Sequence, residues 1–333
     1  MQRCKQLFIK PSASLRLCGE KRPLRLFASA VKIKIRLLRQ PLIRMIKTNM
    51  RYLLFCCFFP SLLAAQGPID GYMKGKGVLD LAPSFSFNKA KTFEGAGGNK
   101  FEEPYKGQML SIFAEYGVTN NFDLVATAAA VFTPIQSGLQ DGGLFAKYRP
   151  LYASLGKAGN LGVVLSAGAG FPIGSYEPTA TGALGQRAVT VPGRLIVQWD
   201  SPIGLFLNVT GGYHFRLDDL KTQDIERIRQ TRPTYEPEIP QDFSTLLVKI
   251  GFPAKHYYLD GWVEWQHTQG GSDYMPNVPD LAQAYGVSYT QVGGTAYYSD
   301  NGRTGFFLSG GYILSGRNTG LIQRITLGMV FKV

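Results

Sequence analysis

Cysteine is missing from most of this chain. Its four, Cys4, Cys18, Cys56 and Cys57, all precede residue 58. The remainder can therefore hold no disulfide framework, no Cys-based zinc site and no thiol nucleophile. Histidine is scarce as well: three residues, His214, His256 and His267, show no metal-ligand spacing. From Gly67 onward there is no apolar run long enough for a transmembrane helix and little period-3.6 patterning, which argues against a helical or α/β domain. Net charge is also missing from this part. Residues 1–51 hold 14 of the 36 Lys and Arg and, among the acids, only Glu20, so they alone carry the formal +13. The rest is neutral, and the high pI gives no ground for a nucleic-acid partner.

What stands at the front explains the break. In "MIKTNMRYLLFCCFFPSLLAAQ", Lys47 and Arg51 form a basic flank, Leu53 to Phe59 an apolar run, and Ala64–Ala65 a small-residue site. That layout predicts a secretory signal peptide over 50–66, cleaved after Ala65 or Gln66, and export by the Sec pathway. A lipoprotein cysteine fits less well, because bulky Phe55 precedes Cys56 and apolar residues follow. Residues 1–49 read as a basic extension from a mis-assigned start, with Met45 or Met50 as the initiator; an Arg-rich organelle transit peptide is the competing reading. Residues 67–333 then form one domain.

That domain repeats short alternating segments between Gly, Pro, Asn and Asp clusters, and is rich in Gly (39 in the chain), Tyr (17) and Phe (21). The pattern predicts an all-β fold of about twelve strands, from "GVLDLAPSFSF" to "LIQRITLGMVFKV". Short connections ("GVTNN", "DSPIG", "PAKH", "DNGR") alternate with longer ones at 89–104, 134–141, 173–188, 218–241 and 268–284. Short turns at one end and long loops at the other suit a transmembrane antiparallel β-barrel, with periplasmic turns and extracellular loops. The charged, proline-rich loop 218–241 is expected to be a mobile surface excursion with a helical turn near Gln223–Arg229. The chain's end supports closure: Ile325, Leu327, Met329, Phe331 and Val333 fall on one face up to the last residue. Terminal strands fray unless neighbours hold both edges, and a sheet in a bilayer must close on itself to satisfy its N–H and C=O groups. Tyr116, Trp199, Tyr257, Tyr258, Trp265 and Tyr298 are placed to form interfacial girdles.

The hairpin "FAEYGVTNNFDLVATAAAVFTP" resembles one in the MetA-pathway of phenol degradation family, whose members carry a similar "YGLTDRLEL". "GLQDGGLFAKYR", "LSAGAGFPIG" and "MKGKGVLDL" are similar to that family's following and opening segments. The likeness spans roughly Tyr105 to Gly174; the turn here reads "TNN" where the family has "TDR", which keeps the hairpin and removes charge. The resemblance implies an outer-membrane barrel of a Gram-negative bacterium that passes small, often hydrophobic or aromatic, molecules, with no catalytic residues to carry over. The closing strand also resembles the signal read by barrel-assembly machinery, although Val333 stands where Phe is usual.

Within such a barrel the inward register predicts a lumen lined by Asp80, Glu115, Asp123, Asp260 and Glu264 against Lys147, Arg149, Arg194, Arg216, Lys249 and Arg324. Ionisable groups at membrane depth are costly unless they face water or each other. They line a solute path or pair across a plugged, structural barrel; family resemblance favours the path, by diffusion through the lumen or, for an apolar solute, lateral escape through the wall. A surface-binding role for loop 218–241 is the alternative. An outer-membrane lipid hydrolase ranks third, because such barrels set His and Ser two apart on one strand face and none of the three histidines here has that serine; "QHTQGGS" places Ser272 five residues after His267. The expected protein is a monomer among outer-membrane lipids, not an enzyme, with no cofactor.

Overall fold

The computed structural model describes residues 69–177, 183–217, 221–234, 236, 241–276 and 280–333. The basic extension 1–49 and the signal segment 50–66 lie outside the described residues. Twelve long antiparallel strands form the wall: β1 (Leu79–Glu94), β2 (Lys100–Thr119), β3 (Phe122–Phe132), β4 (Asp141–Ser154), β5 (Asn160–Pro172), β6 (Thr190–Asp200), β7 (Phe206–Arg216), β8 (Phe243–Pro253), β9 (Tyr257–Thr268), β10 (Ser288–Ser299), β11 (Thr304–Arg317) and β12 (Gln323–Lys332). Each pairs with its neighbours in sequence, and β1 pairs with both β2 and β12. The sheet is closed. Leu79 and Val333 exchange both backbone hydrogen bonds, at 2.9 and 2.8 Å, so the last residue is held as the alternation to the terminus requires. The short strand Ser137–Leu139 continues β4 past a bulge at Gln140, and Thr319–Gly320 pairs with the far end of β1.

The period-2 pattern places apolar side chains outside. Leu110, Leu144, Leu195, Ile250 and Leu327 stand about half exposed, whereas their chain neighbours on the other face are shielded. Bare apolar surface of this extent, continuous around a closed wall, suits lipid rather than water. Tyr116, Trp265, Tyr257 and Tyr298 face outward as expected of girdle residues. Tyr258 does not: adjacent residues of a strand point to opposite faces, and its hydroxyl donates to Asp260 inside at 2.7 Å while its ring stacks on Phe206.

Two connections differ from expectation. The loop at 89–104 is mostly strand, since β1 and β2 run for 16 and 20 residues before a tight turn at 95–99. Alternation persists there on either side of a bulge between Ala90 and Thr92, with Ala90, Phe93 and Tyr105 inside, but the outward positions carry Lys89, Lys91 and Glu102, exposed as they would be beyond the lipid. In the 218–241 loop a helix, α1 (Thr222–Thr231), buries Ile228 against Leu281 and Ala284, so this described part is docked rather than loose; 218–220, 235 and 237–240 lie outside the described residues.

Proline marks two weak points in the wall. Pro83 has no N–H to give, and the β1–β12 ladder is interrupted between Leu81–Phe331 and Ser84–Gly328. Beside it lies an apolar groove of about 640 Å³, lined by Pro83, Phe85, Leu110, Ala130 and Leu327 among others. Pro192 similarly interrupts the β5–β6 ladder between Ala167–Gly193 and Gly170–Thr190.

Candidate functional site

The interior divides into a half near the tight turns and a half near the long loops. At the turn end the chain enters its own barrel. Gly75 and Gly77 take the left-handed conformation (φ +87° and +82°), and Gly77 N–H donates to the Gly117 carbonyl at 2.7 Å. A side chain at Gly117 would strike the Gly75 carbonyl, so this close approach needs glycine. The reversal folds residues 69–74 against the inner wall, where Ile69 packs on Val125, Phe145, Val164 and Ile196.

Charged side chains hold that segment. Lys147, 0% exposed, contacts Glu115 at 2.5 Å and Asp70 at 3.6 Å, and donates to the Tyr72 carbonyl at 2.7 Å. Lys74 bridges Asp80 and Glu115, both at 3.2 Å, and its N–H donates to Asp123 at 3.0 Å. Tyr72 reaches Asp200, to which Gln198 donates at 2.9 Å; Asn208 donates in turn to Gln198 at 2.8 Å. A buried carboxylate or ammonium is tolerated only with partners of this kind.

The loop end is built differently. Residues 173–177 and 183–189 of one loop and 269–276 and 280–287 of another fold inward, and Tyr176, Leu184, Tyr274, Tyr285 and Val287 join Phe93, Tyr105, Met109 and Ile313 of the wall in one apolar, aromatic cluster. Hydrogen bonds fasten the loops. Tyr176 donates to Asp141 at 2.6 Å, Gln186 N–H to the same carboxylate at 3.2 Å, and Arg216 to the Gln186 side chain. Burial, with the Asp141 carboxylate beside it, pushes the Tyr176 hydroxyl well above the ordinary phenol range, so it stays a donor. Fully buried Asn318 donates to the carbonyls of Ser272 and Gly286 and accepts from Tyr274 N–H.

Between the halves lies a belt of ionisable groups. Glu264 is within electrostatic reach of Arg324, Arg194 and Lys249. Lys249 bridges Asp260 at 3.5 Å, and Arg324 donates to Asn88 at 2.8 Å. Arg194 lies over the Phe145 ring and Arg216 over Phe243, each 5.2 Å from the centroid. Trp262 lies flat on the inner wall at Gly293 and Gly311; a side chain at Gly293 would overlap its ring.

Of the eleven residues predicted to line the lumen, Asp80, Glu115, Asp123, Lys147, Arg194, Arg216, Lys249, Asp260, Glu264 and Arg324 face inward by the strand register. Arg149 does not belong with them. Pro150 bulges the strand between Tyr148 and Leu151, and Arg149 sits half-buried at the rim, donating to Asn121 and the Asn120 carbonyl of the β2–β3 turn. Sequence reasoning missed Asp70, Tyr72 and Lys74; the paired glycines of "MKGKG" were the available signal for a chain reversal. The histidines are dispersed. His214 faces inward and stacks on Phe243 at 4.2 Å, His256 pairs with the Ser299 carbonyl at a turn, and His267 is exposed. The Ser244 hydroxyl meets the His267 carbonyl rather than its ring, so those two do not form a nucleophile–base pair.

No family model matches the chain, and no curated protein matches it in sequence; the resemblance to the MetA-pathway family rests on its motifs. Solved structures do match. The COG4313 outer membrane channel from Pseudomonas putida F1 is similar at 14% identity over 80% of this chain and 100% of that one, with a TM-score of 0.59. The NanC porin is similar at 9% identity over 76% and 100%, TM-score 0.49, and the KdgM porin in complex with disordered oligogalacturonate at 10% over 75% and 98%, TM-score 0.39. At this identity the first of these shows the fold: a closed antiparallel barrel of the outer-membrane type.

Proposed function

We propose that this protein is an outer-membrane channel for the passive passage of small, compact solutes with apolar or aromatic character. One observation carries the reading. The wall shows lipid an oily exterior, yet encloses a belt of guanidinium, ammonium and carboxylate groups between aromatic surfaces. A barrel that served only as scaffold would be as stable, or more so, with apolar side chains in those positions. The motif resemblance supports the aromatic character, and the channel from Pseudomonas putida F1 supports a conducting role for the architecture.

In this reading the turn end faces the periplasm and residues 69–74 narrow the path there. The barrel works as a monomer among outer-membrane lipids, delivered by assembly machinery that reads the apolar face of β12. The interrupted ladder at Pro83 favours a second route, through the wall, for solutes too apolar for the ionic belt. Purified protein in planar bilayers is expected to give discrete conductance steps, and proteoliposomes to admit small aromatic solutes. Absence of both steps and uptake would leave a non-conducting barrel.

A further inference from the structure

The β1–β2 hairpin runs on past the apolar band, and the character of its outer face changes abruptly there. Outward positions up to Phe87 on β1 and Leu110 on β2 are apolar, and those two side chains stand about half exposed. The next outward residue of β1 is Lys89, directly paired with Lys106 of β2. Both are exposed, as is Lys91 two residues further on. Among the described residues no ion pair or hydrogen bond engages these three ammonium groups. Among the described residues, too, Glu102 is the only exposed acid of the hairpin, since Asp80, Glu94, Glu103 and Glu115 are buried.

The register fixes the height at which these lysines stand. The pairs Leu79–Tyr116 and Lys89–Lys106 lie ten residues apart on both strands, with no register shift between them. At about 3.3 Å per residue and a tilt of about 40°, that is about 25 Å of height, the extent of the apolar band of an outer-membrane barrel. Tyr116 marks one border of the band, and Lys89 and Lys106 mark the other. The row through them agrees. Tyr312, Gln323, Lys89 and Lys106 are paired in turn across β11, β12, β1 and β2, and Tyr312 is an exposed aromatic of the kind that settles at the interface.

Like charges directly opposite each other destabilise a sheet, and their Cβ atoms are only about 5 Å apart. Both ammonium groups therefore reach a single anion. At the border of the hydrocarbon that anion is a lipid phosphate, which attracts each nearby lysine by about 1 kcal/mol. This is the loop end of the barrel, which faces the cell exterior in the channel reading, and the outer leaflet there presents phosphorylated glycolipid.

We propose that Lys89, Lys106 and Lys91 form a docking surface for the phosphate groups of an outer-leaflet glycolipid of the lipid A type. Its acyl chains lie below, along Phe87, Leu110 and Ile325, all exposed on the wall. The surface rests on the orientation given to the barrel in the channel reading, and not on conduction.

The test is titration of the purified barrel in detergent with bisphosphorylated lipid A, followed by native mass spectrometry, with dephosphorylated lipid A and phosphatidylglycerol as comparison lipids. One lipid A is expected to be retained per barrel, about tenfold or more tighter than either comparison lipid. Lys89→Gln/Lys106→Gln should weaken it about twenty-five-fold and Lys91→Gln about fivefold, which is about 1 kcal/mol per lysine. Lys157→Gln/Lys255→Gln removes the same charge at exposed turn-end positions and should leave retention unchanged. Without lipid, Lys106→Gln should be at least as stable as the wild type in denaturant titration, because it removes a like-charge pair. A loss of stability there, equal retention of phosphatidylglycerol, or an equal loss from the turn-end pair overturns the assignment. Lipid A retention without conductance or uptake would sink the channel and leave this surface standing. Conductance without lipid A retention would do the reverse.

Discussion

At the turn end the barrel is filled by residues 69–74 of its own chain, pinned through Lys147, Lys74 and four carboxylates, whereas at the loop end it is filled by Tyr, Leu and Val from two inward-folded loops. Both fillings close the same cylinder, but their energetics differ. Buried ion pairs stabilise little in net terms and fail sharply when one partner is lost, while an apolar cluster loses stability in proportion to what is removed. The turn end is thus an all-or-none latch and the loop end a graded one.

The contrast is broken most strongly at Lys147. Lys147→Met removes the ion-pair partner of Asp70 and leaves Glu115 with Lys74 alone, and should cost about 3 kcal/mol in denaturant titration followed by heat-modifiable mobility. The double variant Lys147→Met/Glu115→Gln should recover part of that loss, as coupled neighbours do; a fully additive pair would show that the latch is not a unit. Leu184→Ala, at a side chain 1% exposed in the loop-end cluster, should cost about 3 kcal/mol. Hydrogen exchange should rise around residues 183–189 and stay unchanged around 69–74. At the boundary, Gly293→Ala pushes Trp262 off the wall, with a loss of about 2 kcal/mol and a shift in tryptophan emission. An unshifted spectrum would contradict the flat packing of that ring. The smallest effect belongs to the seam. Pro83→Val restores an N–H to the β1–β12 ladder and should stabilise by about 1 kcal/mol, slowing any traffic through the wall.

Strand alternation carried the architecture. A period of two in "ITLGMVFKV" or "GRLIVQWD" states which side chains meet lipid, and closure follows from the hydrogen-bonding needs of a sheet in hydrocarbon. Where the pattern misled, a physical reason can be named. Lys89, Lys91 and Glu102 looked like loop because they face outward above the lipid, where charge is harmless. Tyr258 was placed with Tyr257 although neighbours on a strand cannot share a face. Arg149 kept its parity in the sequence but lost it in space at the Pro150 bulge. The candidate site was legible only as a set of inward charges. Which of them meet depends on register between strands distant in sequence, such as Ser166 to Arg194 to Gly212 to Thr245, and alternation within one strand does not encode that. The segment 69–74 has no repeat at all, and only its flanking glycines announce the reversal.

The central claim is that the chain's own residues 69–74 sit in the lumen and set its width. A Cβ placed on Gly71 lies 2.6 Å from the Gln198 Cβ, about 1 Å short of the separation a disulfide spans, so a small retreat of the segment brings the two positions to bridging distance, and native cysteines all precede residue 58. Single-channel conductance of the Gly71→Cys/Gln198→Cys barrel, with the bridge confirmed by peptide mass, is therefore the direct measurement. The bridge should form on oxidation and leave unit conductance near the wild-type value, because it fixes the segment within about 1 Å of where it rests. Failure of the bridge to form in a folded barrel, or a conductance that collapses when it does, would contradict the account.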